Sequence, residues 1–327
     1  MGRMYNDEWR VSEEKTRTDE AGAFVRGVTK FRKSVSRDAD AEFPAVAGRY
    51  HLWVAHNCPW AHRTVITRNL KKLQSVISVS VAHYHRNDQG WWYDNAIDEL
   101  TPSERFPLHR LHTMTGANYT GSATVPVLWD REKRVIVCDE SADIIRMFNS
   151  EFTEWSDGTV DLYPNELSDK IDEVNEWIYS DINNGVYRCG FARSQEAYAE
   201  AFEQLFAALD RVEALLNEHR YLVASQITEA DVRLFTTLAR FDAVYFSHFK
   251  CNRQRISDFP NLGNYYRDLY QTEGFGETVH VHVYKLGYYG RSERLNPSGI
   301  IPLGPNLNLE APHDRATRTY PGGQNEC

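Results

Sequence analysis

Between residues 50 and 82 the chain runs strand, sharp turn, helix, strand, and this order admits few solutions. Tyr50–Val54 (YHLWV) has the apolar run of a strand, and Asn57-Cys58-Pro59 makes a turn. Trp60–Leu73 then repeats Trp60, Ala61, Val65, Ile66, Leu70 and Leu73 at helical spacing. Pro59 suits the first helical position, where a missing N–H costs nothing. Val76–Ala82 (VISVSVA) alternates as a strand does. The order predicts a parallel strand pair joined by a right-handed crossover.

Two further strands and a helix complete a small α/β module. They come after a polar and aromatic stretch, residues 83–123, which lacks clear periodicity, and a loop of that length is usually functional. Val125–Trp129 and Val135–Cys138 read as two short strands around the charged turn Asp130–Arg134, and Ser141–Asn149 as a helix. From Tyr163 onward the pattern is helical only. The predicted helices are Asn165–Ile182, Ser194–His219, Thr228–Phe249 and Phe259–Gln271. Thr228-Glu229-Ala230-Asp231 opens its helix as a capping box with Asp in place of Glu.

At 327 residues the chain is long enough for two domains. The expected organisation is an irregular, charged arm (1–48), an α/β domain (49–155), an all-helical domain (160–290) and a proline-rich irregular tail (291–327).

Composition narrows the function. The formal charge of −9 lacks the basic footprint that nucleic acids and anionic membranes require, so neither is an expected partner. No apolar run approaches a membrane span, and residues 1–10 carry no apolar signal core. The five cysteines (Cys58, Cys138, Cys189, Cys251, Cys327) are odd in number and scattered, unlike a disulfide framework or a C-x-x-C zinc site. A reducing, cytoplasmic setting is expected, with any important cysteine acting alone. His51, His56 and His62 and the H-x-H pairs His83/His85 and His280/His282 do not supply converging ligands, so no metal is expected.

Three short elements carry chemistry. Cys58 stands between a strand and a helix, where free helix N–H groups and the macrodipole stabilise a thiolate. Ala61 occupies the place of a second cysteine, so a mixed disulfide at Cys58 must be resolved by an outside thiol. Alone, the C-P pair fits an inert helix-capping cysteine equally well. Val125-Pro126, if cis, would turn the Val125 backbone N–H and C=O toward an extended peptide, although an ordinary edge-strand proline satisfies the pattern too. Glu140 can bind an ammonium group, and Ser141 reads as a helix N-cap whose neighbouring N–H groups can receive a carboxylate. A peptide with a free amine and carboxylate at one end and a thiol in its middle would meet all three.

Those residues sit in longer motifs. N-C-P-W-A-H-R at 57–63, D-x-G-W-W at 88–92, T-V-P-V-L-W-D at 124–130 and D-E-S-A-D-I at 139–144 resemble the Xi-class glutathione transferases, the glutathionyl-hydroquinone reductases. I-N-N-G-V-Y at 182–187, S-Q-I-T-E-A-D-V-R-L-F at 225–235 and N-P-S-G-I-I-P-L-G-P at 296–305 are similar to family segments as well. The resemblance spans roughly residues 40–310. It implies a thioredoxin-like domain followed by an all-α domain, a homodimer, and glutathione as co-substrate. It implies Cys58 as the catalytic cysteine, Trp91, Val125, Glu140 and Ser141 as glutathione-binding residues, and Tyr187 and Tyr288 as the lining of an aromatic acceptor pocket. The chain departs from many members in having Thr124 before Val125, with no Arg or Lys identified for the glutathione glycine carboxylate. The implied reaction is glutathione-dependent reduction of glutathionyl-hydroquinones through a Cys58–glutathione mixed disulfide. An omega-like thioltransferase or dehydroascorbate reductase, and a non-catalytic glutathione-transferase-like scaffold, are the alternatives.

Overall fold

The computed structural model describes residues 2–11, 18–94, 105–156, 158–290 and 294–318. It resolves into two units: one from the described residues of 1–15 and 27–160, the other from those of 16–26 and 161–327.

The first unit is built on β3 (Tyr50–Val54), which every residue's burial marks as a central strand. It pairs in parallel with β4 (Ser78–Val81) across the crossover helix α1 (Pro59–Leu70), as the strand–helix–strand reading requires. On its other side it pairs antiparallel with β7 (Val127–Asp130), which pairs antiparallel with β8 (Val135–Cys138), giving the order β4-β3-β7-β8. Helix α3 (Ser141–Ser150) packs beside α1. This is the thioredoxin-like arrangement. Its core is closed by aromatics: Trp53 meets Tyr93 edge-on at 4.7 Å and stacks on Phe106 at 5.2 Å.

The arm and the long loop hold more order than the sequence suggests. Strands β1 (Gly2–Tyr5) and β2 (Glu8–Val11) form a hairpin whose central residues, Asn6 and Asp7, both have positive φ (48° and 66°). The Asp7 carboxylate accepts from the Asn118 and Tyr119 N–H groups at 2.7 Å each. Farther along, Lys33 N–H donates to Val137 O (3.0 Å) and Asp139 N–H to Phe31 O (2.9 Å), so the arm runs alongside β8. Within the loop lie β5 (Trp92–Tyr93), β6 (Phe106–Pro107) and α2 (His109–Thr115).

The second unit is helical: α4 (Ser168–Trp177), α5 (Gly185–Phe191), α6 (Gln195–Glu218), α7 (Glu229–Arg240), the single turn α8 (Phe246–His248), α9 (Pro260–Gln271) and α10 (Val281–Tyr289). Every residue of α7 is buried. Its capping box forms as read, with Thr228 N–H donating to the Asp231 carboxylate at 2.8 Å, and that carboxylate also accepts from Leu222 N–H (3.0 Å) and Tyr265 O–H (2.7 Å). Two predicted helices are not continuous. Ile178–Asn183 and Phe241–Tyr245 are π-helical turns, which interrupt the 3.6-residue period after α4 and after α7. Among the described residues no helix is long and apolar enough to cross a membrane.

Candidate active site

Cys58 is the N-cap of α1, with extended backbone (φ −85°, ψ 118°), Pro59 at the first helical position and no acidic residue in the first turn. The helix head therefore keeps its positive potential around a half-buried sulfur. Arg63 adds a cation one turn on, its guanidinium 4.5 Å from the Trp60 ring. The Cys58 thiol donates to Val125 O at 3.4 Å, and the Val125-Pro126 bond is cis. The two elements that the sequence singled out separately are thus in direct contact.

The other described cysteines have a different setting. Burial pushes the Cys138 thiol up to about 12 and the Cys251 thiol well above its ordinary value, so both favour the neutral thiol. Cys189 is buried. Cys327 lies outside the described residues.

At the head of α3 one expectation needs correcting. Glu140, not Ser141, is the N-cap: its carboxylate accepts from Ala142 N–H at 3.1 Å, and Ser141 is the first helical residue. Glutamate reaches the N–H two residues ahead because its backbone is extended (φ −99°, ψ 113°), leaving the longer side chain to fold back over the helix end. Thr29 Oγ1 donates to the same carboxylate at 3.2 Å. Ser141 Oγ lies 3.5 Å from Glu140 Oε1. Asp139, next in line, is buried, and desolvation pushes its carboxyl up to about 7 despite the hydrogen bond from Phe31 N–H.

Trp91 is buried in the loop after β4. It follows the turn Asn87–Gly90, where Gly90 adopts φ +79°, and its carbonyl accepts from Leu108 N–H at 2.8 Å. Arg86 covers its ring at 4.9 Å.

In the helical unit, Tyr187 of α5 and Tyr288 of α10 are brought together, hydroxyl to hydroxyl at 2.6 Å. A third tyrosine joins them. Tyr245, fully buried in the π-helical turn, lies 3.2 Å from the Tyr288 hydroxyl and 3.5 Å from that of Tyr187. Burial drives the Tyr245 and Tyr288 hydroxyls well above the phenol range, neighbouring phenols raise them further, and the Arg240 cation pulls both back. Arg240 is itself buried at the end of α7, 4.0 Å from the Tyr284 ring, with Nη1 donating to Thr236 O at 2.8 Å. Arg26, from the arm, lies over Tyr187 at 4.8 Å and donates to Asn184 Oδ1 at 2.7 Å. Sequence reasoning missed Tyr245, Arg240 and Arg26. The π-turn displaces Tyr245 from the helical period, and nothing local ties Arg26 to residue 187. Among the described residues no group of acidic, Cys or His side chains could hold a metal ion.

Comparison with known proteins agrees with this division. A family model described as the N-terminal domain of glutathione S-transferase matches residues 57–151, and one described as the C-terminal domain matches residues 195–268. The chain is 44% identical over 327 residues to the glutathionyl-hydroquinone reductase YqjG of Escherichia coli K12, covering 97% of this chain and 99% of that protein. A solved Xi-class GST from Natrialba magadii superposes with a TM-score of 0.88 at 45% identity, covering 98% of both chains. The glutathione-bound structure of YqjG gives a TM-score of 0.85 at 42% identity, covering 97% of this chain and 99% of that one.

Proposed function

The chain belongs to the Xi class of glutathione transferases, and from that premise we propose that it reduces glutathionyl-hydroquinones to hydroquinones at the expense of glutathione. One observation carries the reading above others. The Cys58 thiol heads α1 against Val125 O, in a chain 44% identical to a named glutathionyl-hydroquinone reductase. The Cys58 thiolate attacks the conjugate's sulfur; the S–S bond forms, the C–S bond breaks, and the electron pair left on the ring carbon takes a proton. A second glutathione attacks the Cys58–glutathione mixed disulfide, releasing oxidised glutathione and restoring the thiolate.

Roles for the remaining residues come from their chemistry. Glu140 receives the ammonium of the γ-glutamyl end, and the head of α3 with Ser141 receives its carboxylate. The Val125 backbone pairs with the cysteinyl portion, Trp91 packs against the peptide, and Tyr187 and Tyr288 hold the hydroquinone by its oxygens. The enzyme acts as a cytoplasmic homodimer on small aromatic conjugates.

Steady-state turnover of several glutathionyl-hydroquinones by wild type and Cys58→Ser tests the reading. Loss of turnover in the variant, with a one-glutathione adduct at Cys58 in wild type deprived of free thiol, is the expected result. Near-normal turnover in Cys58→Ser overturns it. Faster turnover of a simple glutathione mixed disulfide than of any aromatic conjugate would move the assignment to an omega-like thioltransferase.

A further inference from the structure

The helical unit brings together two cysteines that no step of the proposed reduction uses. Cys189 lies in α5, and Cys251 follows the turn after α8. The backbone fixes Cys251 from both sides. Lys250 adopts φ +60°, the left-handed turn that closes a helix, and the Cys251 N–H donates back to Tyr245 O at 3.1 Å. The Tyr198 hydroxyl of α6 anchors that turn by donating to Lys250 O at 2.7 Å.

Helix α5 comes against the same turn at Gly190. A Cβ there would fall 2.3 Å from the Phe249 side chain, so the approach requires a glycine. Cys189, one residue before Gly190, thereby meets Cys251, two residues after Phe249, and the two thiols share a hydrogen bond. The backbone contacts of Cys251 Sγ are long even for sulfur. They run 4.0 Å to Val186 O, one turn before Cys189 in α5, and 3.9 Å to Phe249 O. A rotation about the Cα–Cβ bond therefore costs this thiol little.

We propose that Cys189 and Cys251 are an oxidant-responsive pair, closed to a disulfide by a hydroperoxide in the folded protein, so that α5 becomes stapled to the turn after α8. The pair is independent of the proposed reduction. Its chemistry balances with hydrogen peroxide as the oxidant. The Cys189 sulfur attacks the O–O bond, one oxygen leaves as water, and Cys189 becomes a sulfenic acid. Cys251 then attacks that sulfur, the S–S bond forms, and the second oxygen leaves as water. The two thiols lose two electrons and two protons, and the peroxide takes up both.

Burial sets the order of events. Cys189 is 4% exposed and Cys251 is 0% exposed, so a small oxidant meets Cys189 first. Burial, and then the neighbouring Cys189, raise the Cys251 thiol well above its ordinary value, which keeps it protonated until the sulfenic acid is present. The staple closes a long loop and so restricts the unfolded chain more than the folded one.

The experiment uses the full chain carrying Cys58→Ser, which removes the half-buried thiol that competes for oxidant, alone and combined with Cys189→Ser or Cys251→Ala. Each protein is treated with excess hydrogen peroxide in native buffer, then digested without reduction for peptide mass spectrometry and melted in parallel. The expected product joins the peptides that carry residues 189 and 251, lighter than their sum by two hydrogens. The melting temperature should rise by about 5 °C and return on treatment with dithiothreitol. Both effects should vanish in the combined variants. The cross-link in the Cys58→Ser chain is decisive even if a combined variant fails to fold. Unmodified cysteines, sulfinic or sulfonic acid without a cross-link, or pairing with Cys138 or Cys327 would overturn the inference. Cross-linking only at urea concentrations that unfold the chain would overturn it as well.

Discussion

The thiol of Cys58 lies 3.4 Å from the carbonyl oxygen of Val125, across a gap of 67 positions in sequence. The contact unites a helix head with the residue before a cis-proline, and it sets this cysteine apart from the buried ones. Alkylation is therefore expected to be selective. Iodoacetamide at neutral pH should label Cys58 at least ~10-fold faster than Cys138, Cys189 or Cys251, since the thiolate is the reacting species, burial holds Cys138 and Cys251 as neutral thiols, and Cys189 is buried away from the reagent. Peptide mass spectrometry of the native protein reads this directly; comparable labelling of Cys138 would contradict it.

Asp139 predicts a pH effect on stability. Folding raises its pKa from about 3.8 to about 7, chiefly by desolvation, so the folded chain holds the proton more tightly than the unfolded one. The resulting stability is fully present below about pH 4 and is lost as pH rises to about 7. At about 1.4 kcal/mol per pH unit the whole effect is on the order of 4 kcal/mol. Urea midpoints at pH 5 and pH 8 should differ less in Asp139→Asn than in wild type. An unchanged difference would show that Asp139 does not titrate in this window.

Asp231 should be among the costliest single positions in the helical unit. Its buried carboxylate accepts from Thr228 N–H and Oγ1, Leu222 N–H and Tyr265 O–H, and truncation strands four donors at once. Asp231→Ala is expected to cost about 3–5 kcal/mol in chemical denaturation, against about 1 kcal/mol for Tyr265→Phe, which removes only one donor. Similar losses for the two would refute this account.

Gly190 tests the packing behind the tyrosines. A Cβ there would run into the Phe249 side chain, whose ring lies 5.3 Å from that of Tyr245 and 5.8 Å from that of Tyr288. Gly190→Ala should cost about 1–3 kcal/mol through overpacking and should slow conjugate turnover more than disulfide exchange. A fully stable and active variant would show that Phe249 yields without disturbing its neighbours.

Local patterns were the legible ones. The strands around α1, Pro59 at its first position, the capping box of α7 and the positions of Cys58 and Val125 depend on residues close in sequence, and the structure repeats them. The failures share a different cause. The first hairpin turns at Asn6-Asp7 between strands of only four residues, and its order comes from Asp7 accepting backbone N–H groups more than 100 residues away. Ser141 has the chemistry of a cap, yet Glu140 caps the helix because its side chain can fold back. Tyr245 was hidden by the extra residue per turn of a π-helical segment, which carries a side chain off the stripe that periodicity marks.

The arm alongside β8 has a bearing on how the chain behaves in a crowded solution. β8 is the last strand of its sheet, and without the pairing of Lys33 N–H with Val137 O and Phe31 O with Asp139 N–H it would present unpaired backbone groups to any passing strand. The segment that reads in sequence as a charged, featureless leader thus acts as a guard against self-association. Removing it would expose a template for intermolecular β-pairing, so the first symptom of truncation would be precipitation and not a lowered rate.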